Sequence, residues 1–253
     1  MPNSAKDTNL STAAVIPAAG RGVRLGPGAP KALRPLGGIP MLVHAVRALA
    51  RAREVALVVV VAPPDGIAEV RALLDTHGFP ESKEIKVVAG GETRQESVRL
   101  GLGALPDDIG IVLVHDAARP LVPVDTVDAV AAAVRDGAPA VVPALPLADT
   151  VKQVEPDAAG GPEPVVDTPE RSRLRAVQTP QGFRRDVLTE AHEKLADQAT
   201  DGPGATDDAA MAERIGVQVV AIPGHEEAFK ITRPIDLVLA EAVLARRRAT
   251  DAF

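Results

Sequence analysis

The chain predicts an α/β fold, a mostly parallel twisted sheet flanked by helices and carrying a protruding β-arm, and three features lead to that expectation. Aliphatic runs at 14–16, 55–62, 85–89 and 111–114 are too brief for helices and almost wholly apolar, as strands buried on both faces require. Each run ends in a glycine-bearing, proline-bearing or acidic loop and is followed by a segment of helical period, the rhythm of a parallel sheet with crossover helices. The third feature is a break in composition at 155–164, where Pro, Gly and acids replace the alternation of apolar segments.

Taken in order, residues 1–12 are polar and are expected to form a disordered tail. The first apolar run stops abruptly in Ala18-Ala19-Gly20-Arg21-Gly22, a strand opening into a loop at its carboxyl end, where open α/β sheets bind ligands. Residues 39–52 set Leu42, Val43, Val46 and Leu49 at helical spacing, with Pro40 in the first turn. Pro63-Pro64 closes the strand at 55–62, and a helix at 66–77 ends near Gly78. The strand at 85–89 runs into Gly90-Gly91 and a helix reaching Leu105. The strand at 111–114 meets His115-Asp116 directly, then come a helix at 125–135 and a short strand at 139–143.

Residues 148–177 read as the arm, two β-capable flanks around a tip that cannot pack on a sheet, with a disordered surface insertion as the alternative. Gln178-Thr179-Pro180 rejoins the body before a helix at 185–196. Thr206-Asp207-Asp208 caps a helix through 215, and a strand at 217–222 follows. Pro234 opens the last helix, with Asp236 favouring its positive end. The expected organisation is one domain over 13–247 and a short tail at 248–253, consistent with 253 residues of which 46% are hydrophobic.

A formal charge of −6 argues against a general nucleic-acid binder, so cations must be concentrated locally wherever an anion is bound. With no cysteine there is no disulfide, thiol nucleophile or thiolate zinc site. No apolar run reaches membrane-spanning length and the start lacks a signal-peptide core, which leads to the expectation of a cytoplasmic protein without a membrane partner.

Three segments carry chemistry. In the first, the N–H groups of a glycine loop form a nest for phosphate oxygens, and Arg24 and Lys31 add fixed positive charge. Neither a Walker loop nor a dinucleotide loop fits, because no Gly-Lys-Ser/Thr follows and Leu25 stands where a third glycine belongs. In the second, Gly90-Gly91-Glu92-Thr93-Arg94-Gln95-Glu96-Ser97, the glycines can lie against a base or ribose while Arg94 and Ser97 offer donors; a plain capped turn with exposed charges is the alternative. In the third, His115-Asp116-Ala117-Ala118-Arg119-Pro120, an acid suits Mg²⁺, which favours carboxylate and phosphate oxygens together, and Arg119 can fork onto a phosphate.

The run Ala-Ala-Gly-x-Gly-x-Arg-Leu followed by Pro30-Lys31 resembles the signature of nucleotidyltransferases that join a nucleoside monophosphate to a sugar or polyol phosphate. With Gly-Gly-Glu-x-Arg-x-x-Ser, His-Asp-Ala-Ala-Arg-Pro and Thr-Pro-Gln with Phe-Lys-Ile-Thr-Arg-Pro-x-Asp in the same order, the chain from 14 to 244 closely resembles the 2-C-methyl-D-erythritol 4-phosphate cytidylyltransferases. The resemblance implies a Rossmann-like nucleotidyltransferase fold, transfer of CMP from CTP to methylerythritol phosphate with loss of pyrophosphate, a divalent metal such as Mg²⁺, and a homodimer joined by the β-arm. By matching position it places Ala18, Ala19, Gly20, Gly22, Arg24 and Lys31 on the triphosphate loop, and Gly91, Glu92, Ser97 and Ala117 on the cytidine side. Asp116, Arg119, Thr150, Arg171, Thr179, Thr206 and Lys230 fall on the polyol-phosphate side, with Arg24, Lys31 and Lys230 as catalytic cations and Asp116 as the metal residue. Two departures stand out: Ala32-Leu33 follow Lys31 where the family usually has Gln and an aromatic, and the stretch 155–169 matches no motif. A ribitol 5-phosphate cytidylyltransferase and a non-catalytic CTP-sensing module are the alternatives.

Overall fold

The computed structural model describes residues 10–20, 30–196 and 207–250. The chain runs through β1 (Ser11–Pro17), a one-turn 3₁₀ helix (Lys31–Leu33), β2 (Pro35–Leu36), β3 (Ile39–Pro40), α1 (Met41–Arg51), β4 (Val55–Ala62) and α2 (Ile67–Asp75). It continues through β5 (Glu84–Ala89), α3 (Arg94–Gly103), β6 (Ile109–Val114), α4 (Val124–Arg135) and β7 (Ala140–Pro146). The arm carries β8 (Gln153–Val154) and β9 (Val165–Asp167), after which come β10 (Arg175–Val177), β11 (Gln181–Arg184), α5 (Arg185–Lys194), α6 (Asp208–Arg214), β12 (Val219–Pro223) and α7 (Pro234–Thr250).

The main sheet has the order β10-β7-β11-β6-β1-β4-β5, and β12 also pairs with β7, in parallel. Strands β5, β4, β1 and β6 are mutually parallel, while β10 and β11 are antiparallel to their neighbours. Alternation along β1 divides the interior: Ala14 and Ile16 face a core shared with α1, α2 and α4, whereas Ala13 and Val15 face α3, α5 and α6. A smaller core of Leu36, Met41, Leu121, Ile231 and Ala240 seats α7 against the loops at the top of the sheet.

Four differences from the sequence-based expectation stand out. Ile39 and Pro40 pair with Leu36 and Pro35 in a hairpin, so α1 begins at Met41 rather than at 39. Gly37 and Gly38, both at positive φ, make that turn, and the primed turn class they permit matches strand twist. The strand at Ser11 starts inside the stretch expected as a tail, because buried Thr12 pairs across the sheet and its hydroxyl accepts from Arg135 at 3.3 Å. Strand β11, foreseen only as chain rejoining the body, is wedged antiparallel between β6 and β7 with Phe183 wholly buried. Helix α7 continues to Thr250 instead of fraying after 247, since Arg247 reaches the carboxylate of Glu227 at 2.7 Å and Arg248 reaches Gly37 O at 3.4 Å.

The arm forms its own two-stranded sheet, in which Val165 and Val166 are more than half exposed. No helix among the described residues is long and apolar enough to cross a membrane.

Helix α3 lies close on the sheet because Gly101 has no side chain there; a Cβ would come within 2.6 Å of Val15 Cγ1 and 2.9 Å of Val61 Cγ2, both on fully buried residues. Gly101→Val is therefore expected to lower stability by about 1–3 kcal/mol through overpacking. Urea denaturation checks this, and an unchanged midpoint would mean that the helix can lift without cost.

Candidate active site

The loops that follow β1, β5 and β6 converge at the carboxyl edge of the sheet. They enclose a cavity of about 220 Å³ to which Ala18, Ala19 and Gly20 contribute one wall, Gly91 and Glu92 another, and Ala117 a third. Each loop leaves its strand by extending the ladder: Ala18 N–H donates to Val61 O, Gly90 N–H to Ala62 O and His115 N–H to Val15 O, at 2.7–2.9 Å. Lys31 and Lys230 complete the rim. Gly22, Arg24 and Thr206 lie outside the described residues.

The second loop is held by its own helix. Thr93 caps α3 by accepting from Glu96 N–H at 3.0 Å, while the Glu96 carboxylate accepts from Glu92 N–H at 2.8 Å, a capping box shifted by one residue. Ser97 is buried, and its hydroxyl accepts from Gly91 N–H at 3.2 Å, so it faces the loop backbone as well as the cavity. Gly90 is required for a close approach, since a Cβ would lie 3.0 Å from Ala19 Cβ and 2.9 Å from Ser97 Oγ. The capped turn and the cradle are thus one object: the cap shapes the glycine wall.

Asp116 sits at the centre of a cation cluster. Its carboxylate lies 2.7 Å from Lys230 Nζ, 3.6 Å from Arg94 Nε and 4.0 Å from Arg119 Nε. Burial alone would push the carboxyl up, but Arg94, Lys230 and Arg119 hold it well below the usual carboxylate range. Arg94 joins this cluster to a second buried acid: its Nη1 is 2.8 Å from Asp208, whose other oxygen accepts from His192 Nε2 at 3.0 Å. Burial pulls Arg94 down, and Asp208 and Asp116 more than offset it, so its net shift is upward.

A second recess of about 210 Å³ adjoins the first, and Arg94, Asp116 and Lys230 border both. Thr179 and Arg119 also edge the second recess, yet the structure turns both toward the frame. Arg119 was expected to fork onto a phosphate; instead Nη1 donates to Ala228 O at 2.7 Å and Nη2 to Val177 O at 3.2 Å, because its side chain is buried beside those carbonyls. The Thr179 hydroxyl accepts from Asp116 N–H at 3.0 Å and bonds His115 Nδ1 at 3.0 Å, while His115 Nε2 bonds Arg119 O at 3.1 Å. With Nε2 donating to a carbonyl, the neutral ring accepts from Thr179 through Nδ1.

Thr150 and Arg171 border neither recess; both are exposed on the arm, where Arg171 Nη1 donates to Ala148 O at 2.5 Å. Both Asp116 oxygens face cations, Oδ1 toward Arg94 and Oδ2 toward Lys230, so a divalent ion would share this carboxylate with them. In the sequence Arg94 stands out only as a donor, and nothing local marks Asp208 or His192. The run Thr206-Asp207-Asp208 reads as a cap, and Asp207 does cap α6 by accepting from Ala210 N–H at 2.9 Å; which aspartate turns inward is invisible in three consecutive polar residues.

A mostly parallel sheet whose carboxyl edge carries a glycine-walled cavity rimmed by lysines has the form of an α/β nucleotidyltransferase. Crystal structures agree: the 2-C-methyl-D-erythritol 4-phosphate cytidylyltransferase of Thermus thermophilus aligns with a TM-score of 0.69 at 34% identity, covering 93% of this chain and 98% of that one. The 4-diphosphocytidyl-2C-methyl-D-erythritol synthase of Anaerococcus prevotii aligns with a TM-score of 0.78 at 27% identity, covering 96% and 100%. The family model for 2-C-methyl-D-erythritol 4-phosphate cytidylyltransferase matches residues 12–246, and the chain belongs to that family. The Streptomyces avermitilis protein of that name is 74% identical over 243 residues, covering 96% of this chain and 95% of the relative.

Burial pushes the His115 imidazole down to about 4, against the upward pull of Asp116. Because the folded-state value lies below the unfolded one, the stability tied to the neutral ring is complete above about pH 6.5 and lost as pH falls toward 4. Between pH 7 and pH 5 this amounts to about 2 kcal/mol. Urea titrations at the two pH values should show the difference, and it should shrink in His115→Gln; an equal difference in both proteins would place the titration elsewhere.

Proposed function

We propose that the chain transfers CMP from CTP to 2-C-methyl-D-erythritol 4-phosphate, giving 4-diphosphocytidyl-2-C-methyl-D-erythritol and pyrophosphate. The observation that carries this reading is the pair of adjoining recesses with Arg94, Asp116 and Lys230 between them. One recess has the glycine walls a nucleotide needs, and the other, of similar volume, is lined mainly by polar and charged residues, so two phosphorylated substrates would meet at the shared cations. A phosphate monoester is largely dianionic near neutral pH, its second pKa being about 6, and can attack without a general base. An oxygen of the polyol phosphate forms a bond to the α-phosphorus of CTP, and the bond from that phosphorus to the β-phosphate bridging oxygen breaks. The protein's part is alignment and charge stabilisation.

In this reading Lys31 and Lys230, with Arg24 from the loop, stabilise the α-phosphate as negative charge gathers on its oxygens. Asp116 holds Lys230 in place and offers an acceptor to polyol hydroxyls. A divalent cation, where required, would neutralise triphosphate charge, with phosphate oxygens supplying most of its ligands and Asp116 the nearest carboxylate. The setting proposed is cytoplasmic. Turnover of CTP with methylerythritol phosphate and with ribitol 5-phosphate in parallel tests the substrate, and preference for the ribitol ester would replace this reading by the alternative.

Lys31→Ala and Lys230→Ala are each expected to fold normally and to lower kcat by about 10²- to 10³-fold, the scale for removing one preorganised charge stabiliser. Steady-state assays on the folded variants decide, and a near-normal kcat removes that lysine from the mechanism.

The arm is assigned to a homodimer. Its exposed Val165 and Val166 have no core of their own, and Thr150 and Arg171 border neither recess of their own chain, so both are proposed to complete the polyol-phosphate site of the partner. Mixing Lys31→Ala with Arg171→Ala subunits under exchange should then restore about one quarter of wild-type activity, because half the dimers are mixed and each holds one intact site. Proven heterodimers with no gain over the separate variants would sink the shared site.

A further inference from the structure

Arg94 is the first residue of α3, where the helix presents its positive end and a cation is out of place by the dipole alone. Two acids compensate for this position. Nη1 is paired with Asp208 at 2.8 Å and Nε faces Asp116 at 3.6 Å, which leaves Nη2 without a partner among the described residues on a side chain 36% exposed. Arg94 borders both recesses, so its open edge lies at their junction.

The anchor is unusual in its burial. Asp208 on α6 is 0% exposed, and behind it His192 on α5 donates through Nε2 from an almost fully buried ring. A buried ion pair is a poor source of stability, since desolvation of both charges offsets most of their attraction. What such a pair does well is hold a planar guanidinium in one orientation.

We propose that Arg94 contacts the reacting phosphates as a further catalytic cation, and that Asp208, braced by His192, is the positioning residue that keeps the guanidinium at the junction of the two recesses. This rests on the transfer reaction proposed above. The ligand is a phosphoryl oxygen, that of the attacking monoester or of the α-phosphate, and Nη2 supplies the hydrogen bond. Asp116 and Asp208 hold Nε and Nη1 and keep the guanidinium from swinging away from the incoming phosphate.

The test compares the wild-type chain with Arg94→Met, Arg94→Lys, Arg94→Ala, Asp208→Asn and His192→Leu, using CTP and methylerythritol phosphate, with the melting temperature of each measured alongside. Arg94→Met should lower kcat by about 10²-fold while KM for CTP stays within about threefold, the split for an interaction made in the transition state. Arg94→Lys should recover only part of the loss, because a point charge cannot satisfy Asp208 and a phosphate in two directions. Ethylguanidinium should restore activity to Arg94→Ala several-fold, an effect that a purely structural arginine would not produce. Asp208→Asn and His192→Leu should each lower kcat without raising KM for CTP; should Asp208→Asn not fold, His192→Leu decides. A folded Arg94→Met with kcat within about threefold of wild type overturns the catalytic assignment, as does Arg94→Ala that ethylguanidinium leaves inert. Normal kcat in the folded anchor variants overturns the positioning role. A wild-type chain inert with these substrates would defeat the functional reading instead, so the two failures are distinguishable.

Discussion

The structure of the site depends on one carboxylate. Asp116 faces Lys230, Arg94 and Arg119, which arrive from the segment before α7, the start of α3 and its own loop. Three cations gathered in a partly buried recess would repel one another, and at the reduced effective dielectric of such a place the cost would be several times that in water. With its side chain 13% exposed, Asp116 is screened little by solvent and can bind these segments together before any anion arrives. The cluster remains net positive, which suits an entering polyphosphate, and its charges are already oriented, so little reorganisation accompanies binding.

The scaffold explains how such distant residues meet. Parallel strands deliver their following loops to one edge, so the glycine loop, the capped start of α3 and the Asp116 loop arrive together. Lys230 comes by a different route. The preceding Ala228 accepts from Arg119, Ile231 N–H donates to Ala118 O at 2.9 Å, and Arg247 on α7 links Glu227 to Leu121 O at 2.6 Å. Helix α7 therefore acts as a clamp over the lysine segment and the Asp116 loop, while Arg248 extends the clamp to the Gly37 turn beyond Lys31.

Several polar residues in the conspicuous motifs serve the frame. Arg119 ties two carbonyls, Thr179 links the Asp116 backbone to His115, and His115 returns to Arg119 O. Each bond satisfies a group that burial would otherwise penalise. These bonds link the Asp116 loop to Thr179, His115 and Arg119, and so place the Asp116 carboxylate among its cations.

Sequence alone determined the elements whose cause is local. The run of β-branched residues at Val55–Ala62 is a strand with the expected bounds, since period and side-chain type suffice there. The carboxyl-edge loops and Lys31 were legible for the same reason: glycine, strand end and following helix are neighbours in the chain. Tertiary structure decided which polar residues border the recesses and which turn into the frame. Arg119 meets Ala228 from 109 residues away and Thr179 meets His115 from 64, and no local pattern encodes such partners. Asp207 and Asp208 are chemically alike, yet one caps a helix and the other is buried against Arg94 and His192, a difference set by how α6 packs on α5 and α3. The direction in which a side chain points, and the charge it meets there, are fixed by long-range packing and desolvation, which only the folded chain supplies.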